Sequence, residues 1–317
     1  MATGSIAQLF HLARWFVTAR LLGRHRPLQS VVFVTGGCDS SCRHCTKCNA
    51  APEHFKKFED IESDLRDSYA SGARILDIEG PNLCSWTDAG RTPGDIFDLA
   101  RKIGFYNIST MVPARDHGTW KQLGASADVL WVSIAGADDL DYLASAAGSI
   151  HASKSASMDA SHGESYSLYM VINSRNFTQI PAILDFMQSH PEIVQIAFNL
   201  HTPFPGTEHL ALSQAQRDEV INQLISFKKQ GRRIFGSGPD YRIMNSVSGL
   251  RNMQHLDFKR FCWICNFYYC DGRRSPVCID DQTSGLCDRC GFCMSGEMNA
   301  VFRFRPDTII AGLKGRL

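Results

Sequence analysis

The sequence predicts an α/β fold in which six parallel strands, joined by helical crossovers, form an open, partial (β/α)6 barrel. The first observation is that short β-branched apolar runs alternate with longer helical segments from Val31 to about residue 200. Parallel neighbours need such crossovers, which are right-handed. The second is their number, because six units are too few for a closed eight-stranded barrel. The third is a cysteine-rich stretch after the barrel, which predicts a small C-terminal domain held by ligation more than by a core.

The composition excludes several classes of protein. The 317 residues are 44% hydrophobic and 21% charged, and 33 basic side chains nearly balance 32 acidic ones. These values exclude a disordered or collagen-like chain and a protein that binds polyanions through bulk positive charge. No apolar run reaches the roughly 20 residues that span a bilayer. We therefore expect an ordinary globular protein.

Residues 1–27 predict a basic amphipathic helix. They contain four arginines and no acid, interleaved with large apolar side chains. One interpretation is an interfacial membrane anchor or a cover near a lipid substrate, which predicts peripheral membrane association. A helix that caps the end of the main domain and an organelle-targeting peptide remain alternatives.

The barrel is expected over residues 28–240 and the C-terminal domain over 241–317. The predicted strands are Val31–Thr35, Arg74–Ile78, Tyr106–Met111, Val129–Ile134, Ser167–Ile172 and Val194–Asn199. The predicted helices are Glu59–Ser71, Pro93–Ile103, His117–Leu123, Ile180–His190 and Ser213–Gln230. Between the fourth and fifth strands, Ala144 to Ser165 has few large apolar groups, so we expect a mobile loop, either a plain connector or a lid over substrate.

Twelve cysteines are the unusual feature of the composition. Four lie within Cys38 to Cys48, seven within Cys262 to Cys293, and Cys84 stands apart. Two dense clusters and the lack of a recognisable signal peptide do not fit a secreted disulfide framework. We expect metal ligation in a reducing, cytoplasmic compartment.

The strongest motif is Cys38-x3-Cys42-x2-Cys45, directly after the first predicted strand and preceded by two glycines. Three thiolates on one loop can bind three irons of a 4Fe-4S cluster and leave the fourth iron open. Zinc is the rival metal, but a structural zinc site normally has four ligands. Cys48 could supply that fourth ligand.

This loop, with the β/α units behind it, resembles the radical S-adenosylmethionine (radical SAM) superfamily over Val31 to Gly206. The resemblance implies a partial (β/α)6 barrel, S-adenosylmethionine chelated to the open iron, an external one-electron donor of flavodoxin or ferredoxin type, and cleavage to a 5′-deoxyadenosyl radical. It implies that His44 lies beside the adenine, although the family usually has Tyr, Phe or Trp there. Glu79 and Gly80 match the family's Gly-Gly-Glu position, which contacts the methionine ammonium.

Further site residues are expected at the C-terminal ends of the strands, where active residues of such barrels gather. Asn173 and Arg175 suit ribose hydroxyls and the methionine carboxylate, and Ser133 is a further cofactor-binding candidate. Asn199 and His201 end the sixth predicted strand. Each of these could instead be a hydrogen-bonded strand-end group. Cys84 is a candidate hydrogen-atom donor or extra ligand, or a buried apolar cysteine.

The second cysteine cluster resembles the SPASM and twitch extensions that follow radical SAM barrels. Cys262-x9-Gly272-x5-Cys278 is close to their first hairpin, with Asp271-Gly272 as the turn. The resemblance implies an auxiliary 4Fe-4S cluster, with one cluster favoured over two and a zinc knuckle as the alternative. The expected ligands are Cys262, Cys278, Cys287, Cys290 and Cys293.

We therefore predict a radical SAM enzyme that abstracts hydrogen from an organic substrate or adds to it. Lipids or isoprenoids, peptides, and sugars or other natural products are all open as substrates. The rival is a non-enzymatic zinc protein that binds a partner or nucleic acid. Because the cysteine-rich tail mixes arginines with aspartates, it has no strong phosphate-tracking patch, and we expect no nucleic acid partner.

Overall fold

The computed structural model describes residues 3–37, 54–116, 120, 123–144, 165–244, 262–276, 286 and 289–310. The strands are β1 Gln29–Phe33, β2 Thr35–Gly36, β3 His54–Phe55, β4 Ile75–Glu79, β5 Ile108–Pro113, β6 Val129–Ile134, β7 Tyr166–Ile172, β8 Ile193–Leu200, β9 Cys265–Tyr268 and β10 Arg274–Ser275. The helices are α1 Thr3–Leu21, α2 Phe58–Ser71, α3 Pro93–Ile103, α4 Ile180–Gln188, α5 Gln214–Lys229, α6 Gly238–Met244 and α7 Cys293–Phe302.

The main sheet has the order β10-β9-β1-β4-β5-β6-β7-β8. All neighbouring pairs are parallel except the antiparallel pair β9 and β10. The six predicted strands correspond to β1, β4, β5, β6, β7 and β8, so the partial (β/α)6 architecture is confirmed. Because side chains alternate along each strand, Leu130, Val132 and Ile134 of β6 belong to the main core, while Trp131 and Ser133 face the barrel interior.

Helices α3 and α5 begin at capping boxes, and α3 ends at a glycine. At the start of α3, Thr92 and Asp95 form a capping box around Pro93, and Gly104 ends the helix in a left-handed conformation. Ser213 and Gln216 form a second capping box at α5. The predicted helix His117–Leu123 is described only at residues 120 and 123, which are helical, and residues 145–164 of the predicted loop lie outside the described residues.

The C-terminal segment joins the barrel sheet. Strand β9 pairs in parallel with β1, and a tight turn leads to β10. In the turn, Gly272 has φ +82° and its amide donates to the carbonyl of Tyr269, at 3.1 Å. The predicted hairpin around Asp271-Gly272 is therefore confirmed, while its place beside β1 is a finding that the sequence pattern did not predict.

Helix α1 covers the junction between β9 and α7. Its inner face is buried in an apolar cluster that consists mainly of Trp15, Ala19, Leu28, Ile264, Met298 and Phe302. The Trp15 indole donates to the carbonyl of Arg26, at 2.8 Å. This face of α1 therefore packs on the start of the barrel and on the C-terminal segment. Among the described residues, no helix is long and apolar enough to cross a membrane.

Helices α6 and α7 meet around a buried carboxyl group. Asp240 is 2% exposed and accepts hydrogen bonds from the amide of Ser237 and the hydroxyl of Thr308. Burial, followed by the nearby Glu297 carboxyl, raises the pKa of Asp240 to about 6. The contact is close at Gly296, where a Cβ would lie 2.7 Å from the Asp240 carbonyl oxygen.

Candidate active site

The described residues on either side of the first cysteine motif meet at the C-terminal end of β1. Cys38, Cys42, His44, Cys45 and Cys48 lie outside the described residues, but both sides of their loop are held. β2 precedes the loop and pairs antiparallel with β3, which follows it, so that Thr35 faces Phe55 and Gly36 faces His54. The residues on both sides of the cysteine segment are therefore paired with each other next to β1, at the end of the barrel where active residues of parallel barrels lie.

Glu79 and Gly80 lie against the base of this loop. The amide of Val34 donates to the carbonyl of Glu79, at 2.7 Å, and the hydroxyl of Thr35 accepts from the amide of Asn82, at 3.2 Å. A Cβ on Gly80 would overlap the Thr35 hydroxyl and lie 2.9 Å from its amide nitrogen. Only glycine fits this contact without a shift, which explains the residue type at the predicted position.

A polar layer crosses the barrel interior below Glu79. The Asp77 carboxylate accepts hydrogen bonds from the Gln29 amide and the Ser109 hydroxyl, which come from the two neighbouring strands. The register pairs Asp77 with Ser109 and Phe33 with Glu79. Residues two apart on a strand share a face. Glu79 therefore lies one layer closer than Asp77 to the mouth of the barrel, which is the end formed by the C-terminal ends of the parallel strands.

Tyr169 and Asn199 connect the barrel interior with the cysteine-rich tail. The Asn199 amide donates to the Tyr169 hydroxyl, at 2.5 Å, and its carbonyl oxygen accepts from the amide of Cys293, at 2.8 Å. Burial, followed by the Cys293 thiol and then Glu79, raises the pKa of Tyr169, which stays a neutral phenol. Four groups from β4, β7, β8 and α7 thus converge at the mouth of the barrel.

The sequence interpretation missed Tyr169. Its position could have been derived from the predicted fifth strand, because Ser167, Tyr169 and Val171 share the face opposite the core residues Leu168 and Met170. A polar aromatic group on the inward face, in register with Ser133, is the feature that identifies it.

The other strand-end candidates are held in different ways. Asn173 is buried in a turn, where its side-chain oxygen accepts from the amide of Arg175, at 2.9 Å, and its own amide donates to Asn176, at 2.7 Å. Arg175 is exposed, and Ser133 is half-buried beside Tyr169 in the register. The His201 ring contacts the carbonyl and hydroxyl of Thr207, at 3.1 and 3.0 Å. Their roles as cofactor ligands stay predictions.

The tail docks on the end of β8 through Gly291. The Leu200 amide donates to the Gly291 carbonyl, at 2.8 Å, and the Gly291 amide donates to the Thr202 hydroxyl, at 3.0 Å. A Cβ on Gly291 would overlap the backbone carbonyl of Leu200. Arg217 adds a bond to the carbonyl of Cys290, at 3.0 Å. Since β9 pairs with β1, the tail contacts both edges of the open barrel.

Near β1, the tail carries three further cysteines. Cys265 is buried with Val31 and Phe267, Cys262 is half-buried, and Cys270 follows β9. Burial, followed by the charge of Asp271, raises the pKa of the Cys270 thiol, and this effect is partly offset by Lys56. Cys265 and Cys270 were not among the expected ligands.

Lys56, at the exit of the cysteine loop, and the β9–β10 hairpin are both tied to α2. Lys56 is buried and pairs with Asp64, and Arg274 of β10 pairs with Asp64 and Asp67, at 3.2 and 2.8 Å. The hydroxyl of Tyr268 also donates to Asp67, at 2.8 Å. These contacts hold the hairpin beside the exit of the cysteine loop.

Cys84 lies in a short 3₁₀ turn, Leu83–Ser85, directly after β4. It is half-buried and packs against the main apolar core. That environment is consistent with an apolar cysteine. Its role as a hydrogen-atom donor or ligand stays a prediction.

The chemistry of the donors fits iron–sulfur clusters. Thiols are the usual ligands of such clusters, and the strands that flank the first three in the sequence pair with each other beside β1. In the part of the chain that the structure describes, no three His, Cys, Asp or Glu side chains are grouped as a metal site requires. Cys278 and Cys287, two of the expected auxiliary ligands, lie outside that part.

Neither a protein-family model nor a curated protein matches the chain. Among solved structures, SuiB of Streptococcus suis bound to S-adenosylmethionine matches with a TM-score of 0.60 and 14% identity, over 88% of this chain and 67% of SuiB. SuiB bound to the precursor peptide SuiA matches with a TM-score of 0.58 and 13% identity, over 90% of this chain and 67% of SuiB. The chain therefore has the fold of the radical SAM superfamily, an open barrel of six parallel strands extended at its β1 edge by the C-terminal hairpin.

Proposed function

We propose that the protein is a radical SAM enzyme that cleaves S-adenosylmethionine and uses the resulting radical on an organic substrate. The observation that carries the proposal is the pairing of β2 with β3, the strands that flank the three-cysteine motif, beside Glu79 and Gly80 in a barrel of this fold. A 4Fe-4S cluster held by Cys38, Cys42 and Cys45 would supply the electron that splits the sulfonium into methionine and a 5′-deoxyadenosyl radical.

The residues at the mouth would bind and orient S-adenosylmethionine. Glu79 lies one layer above the polar floor made by Asp77, so its carboxylate can accept from the methionine ammonium. His44 would lie beside the adenine, while Ser133, Asn173 and Arg175 remain candidates for ribose and carboxylate contacts. The side chain of Asn199 already forms hydrogen bonds with Tyr169 and with the amide of Cys293. We therefore propose that it orients the tail and influences the cofactor only through these two residues.

We propose that the tail holds one auxiliary 4Fe-4S cluster and encloses the substrate between itself and the barrel. The supporting observation is its contact with both edges of the barrel, through β9 on β1 and Gly291 on β8. We further propose an external electron donor of flavodoxin or ferredoxin type and a reducing, cytoplasmic environment. The donor is needed because cleavage of the sulfonium consumes one electron, and the reducing environment follows from cysteines that must stay reduced to bind iron.

The test is anaerobic reconstitution with iron and sulfide, followed by an assay for 5′-deoxyadenosine. We expect roughly eight irons per chain, from two clusters. Cleavage should be lost in Cys42→Ala and kept in Cys48→Ala, the matched control in the same loop. Bound zinc without cleavage would establish the non-enzymatic alternative, and cleavage lost equally in Cys48→Ala would contradict the three-ligand assignment.

The substrate class needs a separate assay. Peptide, lipid and sugar candidates can be ranked by how much each accelerates the formation of 5′-deoxyadenosine. A candidate to which the radical adds would instead give a product that carries the deoxyadenosyl group. A substrate bound against the tail should protect the amide of Cys293 from hydrogen exchange.

A further inference from the structure

Helix α1 has a second apolar face, which is exposed. At 3.6 residues per turn its members lie within about 60° of each other around the helix, opposite the buried Trp15. Each is between 47% and 71% exposed. This outer stripe consists of Ile6, Phe10, Val17 and Leu21.

Arginines border the outer stripe on both sides. Viewed down the helix axis, Arg14 lies about 20° beyond Leu21 on one side of the stripe. Arg20 lies about 40° beyond Ile6 on the other side. Both arginines are exposed, and residues 1–38 contain no Asp or Glu. Long basic side chains beside an apolar stripe can extend towards phosphate groups while the stripe enters the acyl boundary.

Phe304 adds exposed apolar surface on the Arg20 side of the outer stripe. It follows α7 with φ +56°, a left-handed position where glycine is the usual residue. Its ring is 57% exposed, lies 5.3 Å from the ring of Phe16 and lies 5.9 Å from the Arg20 guanidinium. The ring therefore adds exposed apolar surface beside Phe16 and Arg20, at a backbone position that is unfavourable for a bulky residue.

The apolar surface is concentrated here. Of the eleven large hydrophobic side chains exposed in the described part of the chain, six lie within residues 6–22 and a seventh is Phe304. Such concentration marks an interaction surface, whereas single exposed apolar residues are ordinary.

We propose that the outer stripe, together with Phe304 and the bordering arginines, binds the surface of an anionic lipid bilayer. The alternative occupant, a second copy of the chain, is disfavoured because two-fold pairing of the stripes would bring their bordering arginines together without any acidic residue of residues 1–38 to balance them. Phosphate headgroups supply the opposite charge, and acyl chains cover Phe10 and Leu21. The proposal is independent of the chemistry in the barrel.

The test is sedimentation of the full-length protein with phosphatidylglycerol/phosphatidylcholine vesicles, compared with pure phosphatidylcholine vesicles. Binding should need the anionic lipid and weaken at high salt. Phe10→Gln with Leu21→Gln should lower the partition coefficient by at least roughly tenfold. Arg14→Gln with Arg20→Gln should lower it roughly 25-fold, at about fivefold for each charge.

Two further variants separate lipid binding from folding. Phe304→Gly relieves the left-handed backbone, so it should weaken vesicle binding without loss of thermal stability. Val194→Gln, at an exposed apolar residue on β8, should leave binding unchanged. Failure to sediment with anionic vesicles would overturn the proposal, as would a concentration-dependent dimer in light scattering that Phe10→Gln with Leu21→Gln abolishes.

Discussion

Replacing Gly291 with alanine tests how the tail is held on β8. The new Cβ would overlap the carbonyl of Leu200 and lie 3.0 Å from its Cα, so the segment must move away. Movement breaks the bonds Leu200 N–H to Gly291 O, Gly291 N–H to the Thr202 hydroxyl, and Cys293 N–H to Asn199. At about 1 kcal/mol each, the loss is about 3 kcal/mol.

Native-state hydrogen exchange measures this loss of local stability at the amide of Leu200. The Leu200 amide loses its partner, and about 3 kcal/mol corresponds to roughly hundredfold faster exchange. Gly238→Ala is the matched control, since a Cβ there meets nothing within 4 Å. Unchanged protection of Leu200 in Gly291→Ala would refute the close docking of the tail on β8.

Three further predictions concern the site and the pH dependence. Asn199→Ala removes the acceptor for the amide of Cys293, so the electron paramagnetic resonance spectrum of iron bound in the tail should change, and Asn199→Asp should restore it. Gly80→Ala places a Cβ against Thr35, so reconstituted iron should fall from roughly eight to roughly four per chain, with the tail's share retained. The folded pKa of Asp240 is about 6 against an ordinary 3.8, so the folded state binds the extra proton between these values. The free energy of unfolding should therefore fall by about 3 kcal/mol in total as pH rises from below 3.8 to above 6, and urea unfolding of cluster-free Asp240→Asn should show a flatter profile.

The barrel was predictable because its strands are short apolar runs separated by helices with clear starts and stops. The predicted run Val129–Ile134 coincides with β6, and Ser213 caps α5 as expected. These features are local, so the sequence carries them within a window of 10 to 20 residues.

The place of the tail was not predictable in the same way. β9 is four residues long and contains Cys and Asn, so its composition does not indicate a parallel strand. Its partner β1 lies more than 230 positions earlier, as shown by the bond between Ser30 and Asn266. The position of Cys293 likewise depends on Asn199, 94 residues away. Pairings at such distances are decided by the assembled fold.

The pairing of β9 with β1 has a consequence for folding on the ribosome. In the described sheet β9 is the partner on one side of β1, so that edge of β1 is uncovered until residue 268 has been synthesised. At 5 to 20 residues per second, the 236 residues between Ser30 and Asn266 take roughly 10 to 50 s. An open apolar strand edge is a site of mispairing with other chains. The contacts between β9 and β1 also have a very long sequence separation, which slows their formation.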